Sequence, residues 1–126
     1  MREESGYRPD AVSVSGALGL LQLMPDTAAR LARQDGIANF VPAQLVRPEL
    51  NLRLGTLFLD QLTRRFDGAL EAVAASYNAG PDAVAKWRSG PARPADAWVE
   101  TIPYDETRGY AKRVLRSLHV YRSLYP

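Results

Sequence analysis

The sequence predicts an all-α fold, and three observations carry the prediction. Apolar residues return every three or four positions over several segments, no segment of useful length alternates apolar with polar residues, and 9 Gly and 9 Pro punctuate the chain. A chain of 126 residues, 46% of them apolar, can bury a proper core. Residues 1–126 are therefore expected to form one compact domain, with no internal repeat or low-complexity linker.

Pro25-Asp26 opens the first periodic helix, through Thr27-Ala28-Ala29-Arg30-Leu31-Ala32-Arg33. Proline suits an early helical position, and Asp26 belongs in the first turn. Gly36 ends this helix, and residues 37–48, with Pro42 and Pro48, read as a connector. A longer helix is predicted from Glu49 to Phe66, where Leu50, Leu54, Phe58, Leu62 and Phe66 recur at i+4 beside Leu57 and Leu59. Gly55 inside it costs roughly 1 kcal/mol relative to Ala, which points to another backbone or a ligand passing close by. Asp67-Gly68 is a break. The small-residue helix Ala69 to Tyr77 follows and is stopped by Asn78-Ala79-Gly80-Pro81, where Asn or Gly can adopt the left-handed conformation and Pro cannot continue the helix. A short helix resumes at Pro81-Asp82 and runs past Trp87 to Gly90; Pro91-Ala92-Arg93-Pro94 is a loop. The final helix, Asp105 to Leu124, carries Ala111, Val114, Leu118, Tyr121 and Tyr125 on one stripe, which reads as core.

Composition removes several function classes. No stretch approaches the ~20 apolar residues of a membrane span. With no Cys there is neither a disulfide framework nor a thiol nucleophile, and a single histidine, His119, leaves no His-based triad or His-rich metal site. No metal and no cofactor are expected. Net charge is only +2. Arg108, Lys112, Arg113, Arg116 and Arg122 line the last helix without an acid after Glu106, but cations near a helix C-terminus complement its dipole, and no aromatic-interleaved basic motif accompanies them. Nucleic acid is not an expected partner.

Catalysis must then rest on carboxylates, hydroxyls, amides or Arg and Lys. The first twenty-five residues hold the strongest candidate: a carboxylate, Glu4, then the small-residue loop Ser13-Val14-Ser15-Gly16-Ala17, then Gly19-Leu20-Leu21-Gln22-Leu23-Met24-Pro25. The amide of Gln22 bonds both hydroxyls and amides of a neutral polar ligand, a combination suited to sugar chemistry.

These residues also carry a family resemblance. Arg2-Glu3-Glu4-Ser5 with Tyr7, Ser13 with Gly16-Ala17 and Gly19 through Pro25, Asn51-Leu52 with Gly55 and Leu59, Ala75-Ser76-Tyr77-Asn78-Ala79-Gly80-Pro81, Trp98-Val99-Glu100-Thr101-Ile102-Pro103 and Glu106-Thr107-Arg108-Gly109-Tyr110 stand in family order. Over essentially its whole length the chain resembles the catalytic domain of soluble lytic transglycosylases, which share the mostly helical, goose-type lysozyme-like α+β fold with a substrate groove. It departs in two places. Leu21 stands where the family commonly has Met, a swap that packing tolerates, and the helix that members carry before the catalytic Glu is missing from this stretch.

The resemblance implies a role for Glu4. Cleaving the β-1,4 bond between N-acetylmuramic acid and N-acetylglucosamine needs a proton on the leaving oxygen, and a glutamic acid whose pKa is raised by burial can supply it near neutral pH. Tyr7, Leu20, Met24 and Tyr77 are the expected apolar suppliers. Deprotonated Glu4 then acts as base toward the same muramyl residue, leaving a 1,6-anhydro end. By the same resemblance Ser13, Gln22, Met24, Tyr77, Asn78, Glu100 and Tyr121 bind the sugars. Each has a structural reading as well: Ser13 as a loop cap, Gln22 as a partner of neighbouring backbone, Met24 as core filler, Tyr77 as a packed helix residue, Glu100 as a partner of Arg108, and Tyr121 as core. Trp87 and Trp98 are read as core ahead of sugar-stacking platforms.

Two alternatives stand beside this reading. A hydrolytic goose-type lysozyme would use a second carboxylate, with Glu100 the candidate, about 6.5–9.5 Å from the first. A domain shortened at its amino end would bind murein without cleaving it. The expected partners are peptidoglycan glycan strands and other cell-envelope proteins. The expected location, periplasm or cell envelope, follows from the substrate alone, since the chain shows no signal peptide.

Overall fold

A computed structural model describes residues 1–126. The architecture is helical: α1 (Arg2–Ser5), α2 (Pro25–Gln34), a 3-10 turn (Pro42–Val46), α3 (Pro48–Arg65), α4 (Leu70–Ala79), α5 (Pro81–Trp87), α6 (Ala95–Glu100) and α7 (Asp105–Leu124). Strand-like pairing is confined to two isolated bridges, Val12 with Leu18 and Leu18 with Leu23. The all-α expectation holds. Two compact units divide the chain, Met1–Asp60 and Gln61–Pro126.

In the first unit, α2 begins at Pro25 and buries Ala28, Leu31 and Ala32 on one face. Its C-terminus is closed by the Gly36 N–H on the Arg33 carbonyl (3.2 Å) and the Ile37 N–H on the Ala32 carbonyl (2.9 Å), which satisfies two of the last orphan acceptors. The expected connector contains the 3-10 turn instead of open loop. Pro42 starts it, the Gln44 side chain accepts the Val41 N–H at 3.1 Å, and Leu45 is fully buried. Leu20, Leu21, Leu23, Leu45 and Leu54 complete the core of this unit.

Gly55 is explained differently from the expectation. A Cβ there would run into the side chain of Leu21, so a packed leucine occupies the space that the glycine opens.

In the second unit, α4 packs on α5 and α7, and α6 packs on α7. Ala72, Ala74 and Ala75 on α4 let these helices approach closely around Val84, Trp98, Val99, Ile102, Tyr110 and Ala111. α3 ends where Asp67, at φ 53°, turns left-handed and the Gly68 N–H bonds the Thr63 carbonyl at 2.9 Å. At the end of α4, Gly80 takes φ 90° and ψ 145°, a conformation open to glycine but strained for other residues, and Pro81 begins α5 at once. α5 stops at Trp87, short of the expected Gly90.

Helix α6 was not visible in the sequence pattern. At six residues it offers too few turns for a period, and the burial of Trp98 and Val99 holds it, each worth about 1.5–3 kcal/mol. Along α7 the apolar stripe is buried only at its start: Ala111 is fully buried, Val114 and Leu118 partly, and Tyr121 and Tyr125 are exposed. The core reading of Tyr121 is thereby corrected, because the stripe outruns the apolar surface that covers α7.

Candidate active site

Glu4 stands in α1, a single turn closed by the Ser5 N–H on the Met1 carbonyl (2.9 Å) and the Gly6 N–H on the Arg2 carbonyl (3.1 Å). So short a helix has no stability of its own. It is anchored by the next residue, since the Ser5 hydroxyl donates to the Leu20 carbonyl at 2.8 Å. The anchor holds α1 to the loop that carries Ser13 and Gln22. The Glu4 side chain is half-buried, Leu20 is buried, and Tyr7 and Met24 are largely exposed.

That loop is built by side chains bonding backbone. The Ser13 hydroxyl accepts the Ala17 N–H at 2.9 Å while the Ser13 N–H bonds the Ala17 carbonyl, also at 2.9 Å. Ser13 thus caps the loop, and its own hydroxyl hydrogen is the part left for a ligand. Gln22, at φ 48°, donates from Nε2 to the carbonyls of Ala11 (3.0 Å) and Gly19 (2.9 Å). Both amide hydrogens are used, so toward a ligand Gln22 acts through Oε1, as an acceptor of hydroxyl or amide hydrogens.

Behind the loop lies Asn51, which is fully buried on α3. Its Oδ1 accepts the Leu21 N–H at 2.8 Å, and its Nδ2 donates to the carbonyls of Leu18 (3.0 Å) and Leu45 (2.9 Å). Gly19 makes room for it: a Cβ at Gly19 would collide with the Asn51 amide and the Leu45 carbonyl. In the sequence Asn51 stands out as one polar side chain among Leu50, Leu52 and Leu54 and as part of the motif Asn51-Leu52 with Gly55 and Leu59, and neither gives it a role.

In the second unit, Tyr77 is half-buried near the end of α4 and Asn78 is exposed beside it. Asn78 is oriented from α7: the hydroxyl of Thr107, a residue only 2% exposed, donates to Asn78 Oδ1 at 2.7 Å. Nδ2 is then the end of Asn78 left to donate. Glu100, the last residue of α6, meets Lys112 Nζ at 2.5 Å with its side chain 62% exposed. It does not pair with Arg108, whose guanidinium bonds the Ile102 carbonyl and Asp105. Tyr121 is stacked on Tyr125 with centroids 6.3 Å apart.

Trp98 is core, as read, with the Arg88 guanidinium 5.1 Å above its ring. Trp87 is partly buried and meets Tyr104 edge-on at 5.0 Å. No three His, Cys, Asp or Glu side chains gather as a metal site, and no helix is long and apolar enough to cross a membrane.

The family model described as "Transglycosylase SLT domain" matches residues 1–98. The soluble lytic murein transglycosylase of Salmonella typhimurium is 40% identical over 124 residues, covering 96% of this chain and 19% of the relative. Among solved structures, an inactive glutamate-to-glutamine mutant of the lytic transglycosylase Slt from Pseudomonas aeruginosa is 43% identical with a TM-score of 0.83, over 90% of this chain and 19% of that one. The 70-kDa soluble lytic transglycosylase of Escherichia coli is 41% identical with a TM-score of 0.84 over the same shares. The chain thus spans about a fifth of the length of these relatives.

Proposed function

Because the chain belongs to the transglycosylase SLT domain family, we propose that it is a peptidoglycan lytic transglycosylase with Glu4 as its acid and then its base. The carboxyl of Glu4 protonates the oxygen bridging muramyl carbon one and N-acetylglucosamine, that carbon–oxygen bond breaks, and the glucosamine leaves with a new hydroxyl. The muramyl acetamido oxygen holds carbon one meanwhile. Glu4, now a carboxylate, takes the proton of the same muramyl 6-hydroxyl, whose oxygen attacks carbon one and displaces the acetamido oxygen. The product is a 1,6-anhydro ring, Glu4 is protonated again, and no water is consumed.

The observation that carries this reading is the half-buried Glu4 on a helical turn anchored by Ser5 to Leu20, within the stretch matched by the family model. The Pseudomonas relative, described as inactive once a glutamate becomes glutamine, supports a glutamate in that role. Ser13 as donor, Gln22 as acceptor and Met24 as apolar surface are assigned to the sugar. Tyr77, Asn78, Glu100 and Tyr121 keep the same assignment in the second unit. A hydrolytic lysozyme would need a second carboxylate as base, and Glu100, solvated and ion-paired with Lys112, is a weak candidate. The place of action follows from the substrate: the periplasm or cell envelope.

Glu4→Gln tests the proposal. It is expected to keep the fold and abolish clearing of peptidoglycan suspensions, while the wild type yields muropeptides one water lighter than hydrolysis products by mass spectrometry. Clearing by the mutant at the wild-type rate would remove Glu4 as the acid, and reducing ends alone would replace transglycosylation with hydrolysis.

A further inference from the structure

Both tryptophans of the chain stand in the wall of one pocket. The end of α5, the connector after it and α6 with its following turn border an open cleft of about 410 Å³ in the second unit, lined in part by Trp87, Arg88, Pro91, Arg93, Trp98 and Thr101. This volume lies within the range of small-ligand sites, about 300–1,000 Å³.

The walls are set by contacts within the protein. Arg88 Nη1 donates to Glu71 at 3.1 Å and lays its guanidinium over Trp98. Trp87 is held edge-on by Tyr104, the Thr101 hydroxyl donates to the Trp98 carbonyl at 2.6 Å, and Pro91 and Pro94 stiffen the connector. The charge of the pocket is one-sided. No carboxylate lines it, the charge of Arg88 is answered by Glu71, and Arg93 has no ion-pair partner.

An unanswered guanidinium beside two prolines and the partly exposed ring of Trp87 suits an anion attached to a small apolar body. A sugar finds less here, since Trp98 is 5% exposed and its ring is covered by Arg88. Inorganic phosphate would use Arg93 and leave the walls without a partner. We propose that this pocket binds the free carboxylate end of a short peptide, with Arg93 holding the carboxylate as a planar fork and Trp87 and Pro91 packing the adjoining aliphatic side chain. Peptidoglycan carries such peptides, and the inference rests on the murein reading for that source alone.

Because Trp87 and Trp98 are the chain's only tryptophans and both line the pocket, a change in tryptophan fluorescence on binding is assigned to it. Titration with N-acetyl-L-alanyl-D-alanine is expected to give a saturable change. The C-terminal amide of the same peptide, or Arg93→Ala, should weaken binding by about tenfold or more, as loss of a charge-assisted bond requires, with Arg93→Lys between. Glu4→Gln should bind like wild type, so a failure of the catalytic reading leaves this result standing. Equal curves for acid and amide, unaltered binding by Arg93→Ala, displacement by inorganic phosphate at the peptide's own concentration, or no saturable change at millimolar peptide would each overturn the proposal.

Discussion

Asn51 accepts the Leu21 N–H on its buried Oδ1 at 2.8 Å, and this bond joins α3 to the loop that carries Gln22. With its two donated bonds to Leu18 and Leu45, the amide is fully used. Asn51→Ala strands the Leu21 N–H and the Leu45 carbonyl in the interior, at about 1–3 kcal/mol for each group left unsatisfied. The expected outcome is a loss of about 3–5 kcal/mol in urea unfolding, and Asn51→Asp should do no better, since it turns a buried carboxyl oxygen on the Leu18 and Leu45 carbonyls. A loss below about 1 kcal/mol would mean that water replaces the amide and that the loop does not depend on it.

Gly55→Ala presses a methyl group into Leu21 within the same unit. Overpacking of this kind costs about 1–3 kcal/mol, while Leu21→Ala alone leaves a cavity worth about 2–5 kcal/mol. The two changes offset each other in space, so the double variant is expected to lose less than the sum of the singles by 0.5 kcal/mol or more, on the order seen for touching residues. Strict additivity in thermal unfolding would place the added methyl somewhere other than against Leu21.

What the sequence makes legible, and what it hides, divides along physical lines. α2, α3, α4 and α7 follow from apolar spacing at 3.6-residue period and from Gly and Pro at their ends, with boundaries within one or two residues. α1 and α6 are too short for a period and exist through tertiary anchors, the Ser5 bond to Leu20 and the burial of Trp98. At the candidate site, residue types point to sugar chemistry, but the use of each polar group does not. That both hydrogens of Gln22 are spent on backbone, and that Thr107 orients Asn78, depends on partners 3 to 29 positions away, which no local pattern encodes. Tyr121 fails for the converse reason: a stripe records which residues share a helix face, and says nothing of whether a neighbour reaches that far along it.

The Thr107 hydroxyl leaves Asn78 with its Nδ2 facing outward, so removing the hydroxyl frees the amide to rotate. Thr107→Val keeps shape and burial. Its stability cost is expected to be about 1 kcal/mol, because exposed Asn78 finds water in exchange. If Asn78 donates to the sugar, KM on peptidoglycan rises several-fold with kcat little changed, and Thr107→Ser restores it. An unchanged KM, with the same modest loss of stability, would reduce the contact to a helix–helix tie between α4 and α7.

The pair of Glu71 and Arg88 offers the clearest separation between a surface ion pair and a working one. Their side chains are 14% and 32% exposed, and the guanidinium lies over the ring of buried Trp98. An exposed pair contributes about 0–1 kcal/mol and fades with salt. Here removal of Glu71 leaves a partly buried cation against an aromatic face with its charge unanswered. Glu71→Ala is expected to cost about 1.5–3 kcal/mol, the range of hydrogen bonds to charged groups, with little change between low and high salt. Glu71→Gln should recover part of it, because the side-chain oxygen still accepts from Arg88 Nη1. Trp98 supplies an internal check: if Arg88 leaves its ring when Glu71 is removed, the near-UV circular dichroism of the tryptophans changes in the alanine variant and not in the glutamine one. A stability loss under 1 kcal/mol that vanishes in salt would class the pair with ordinary surface contacts.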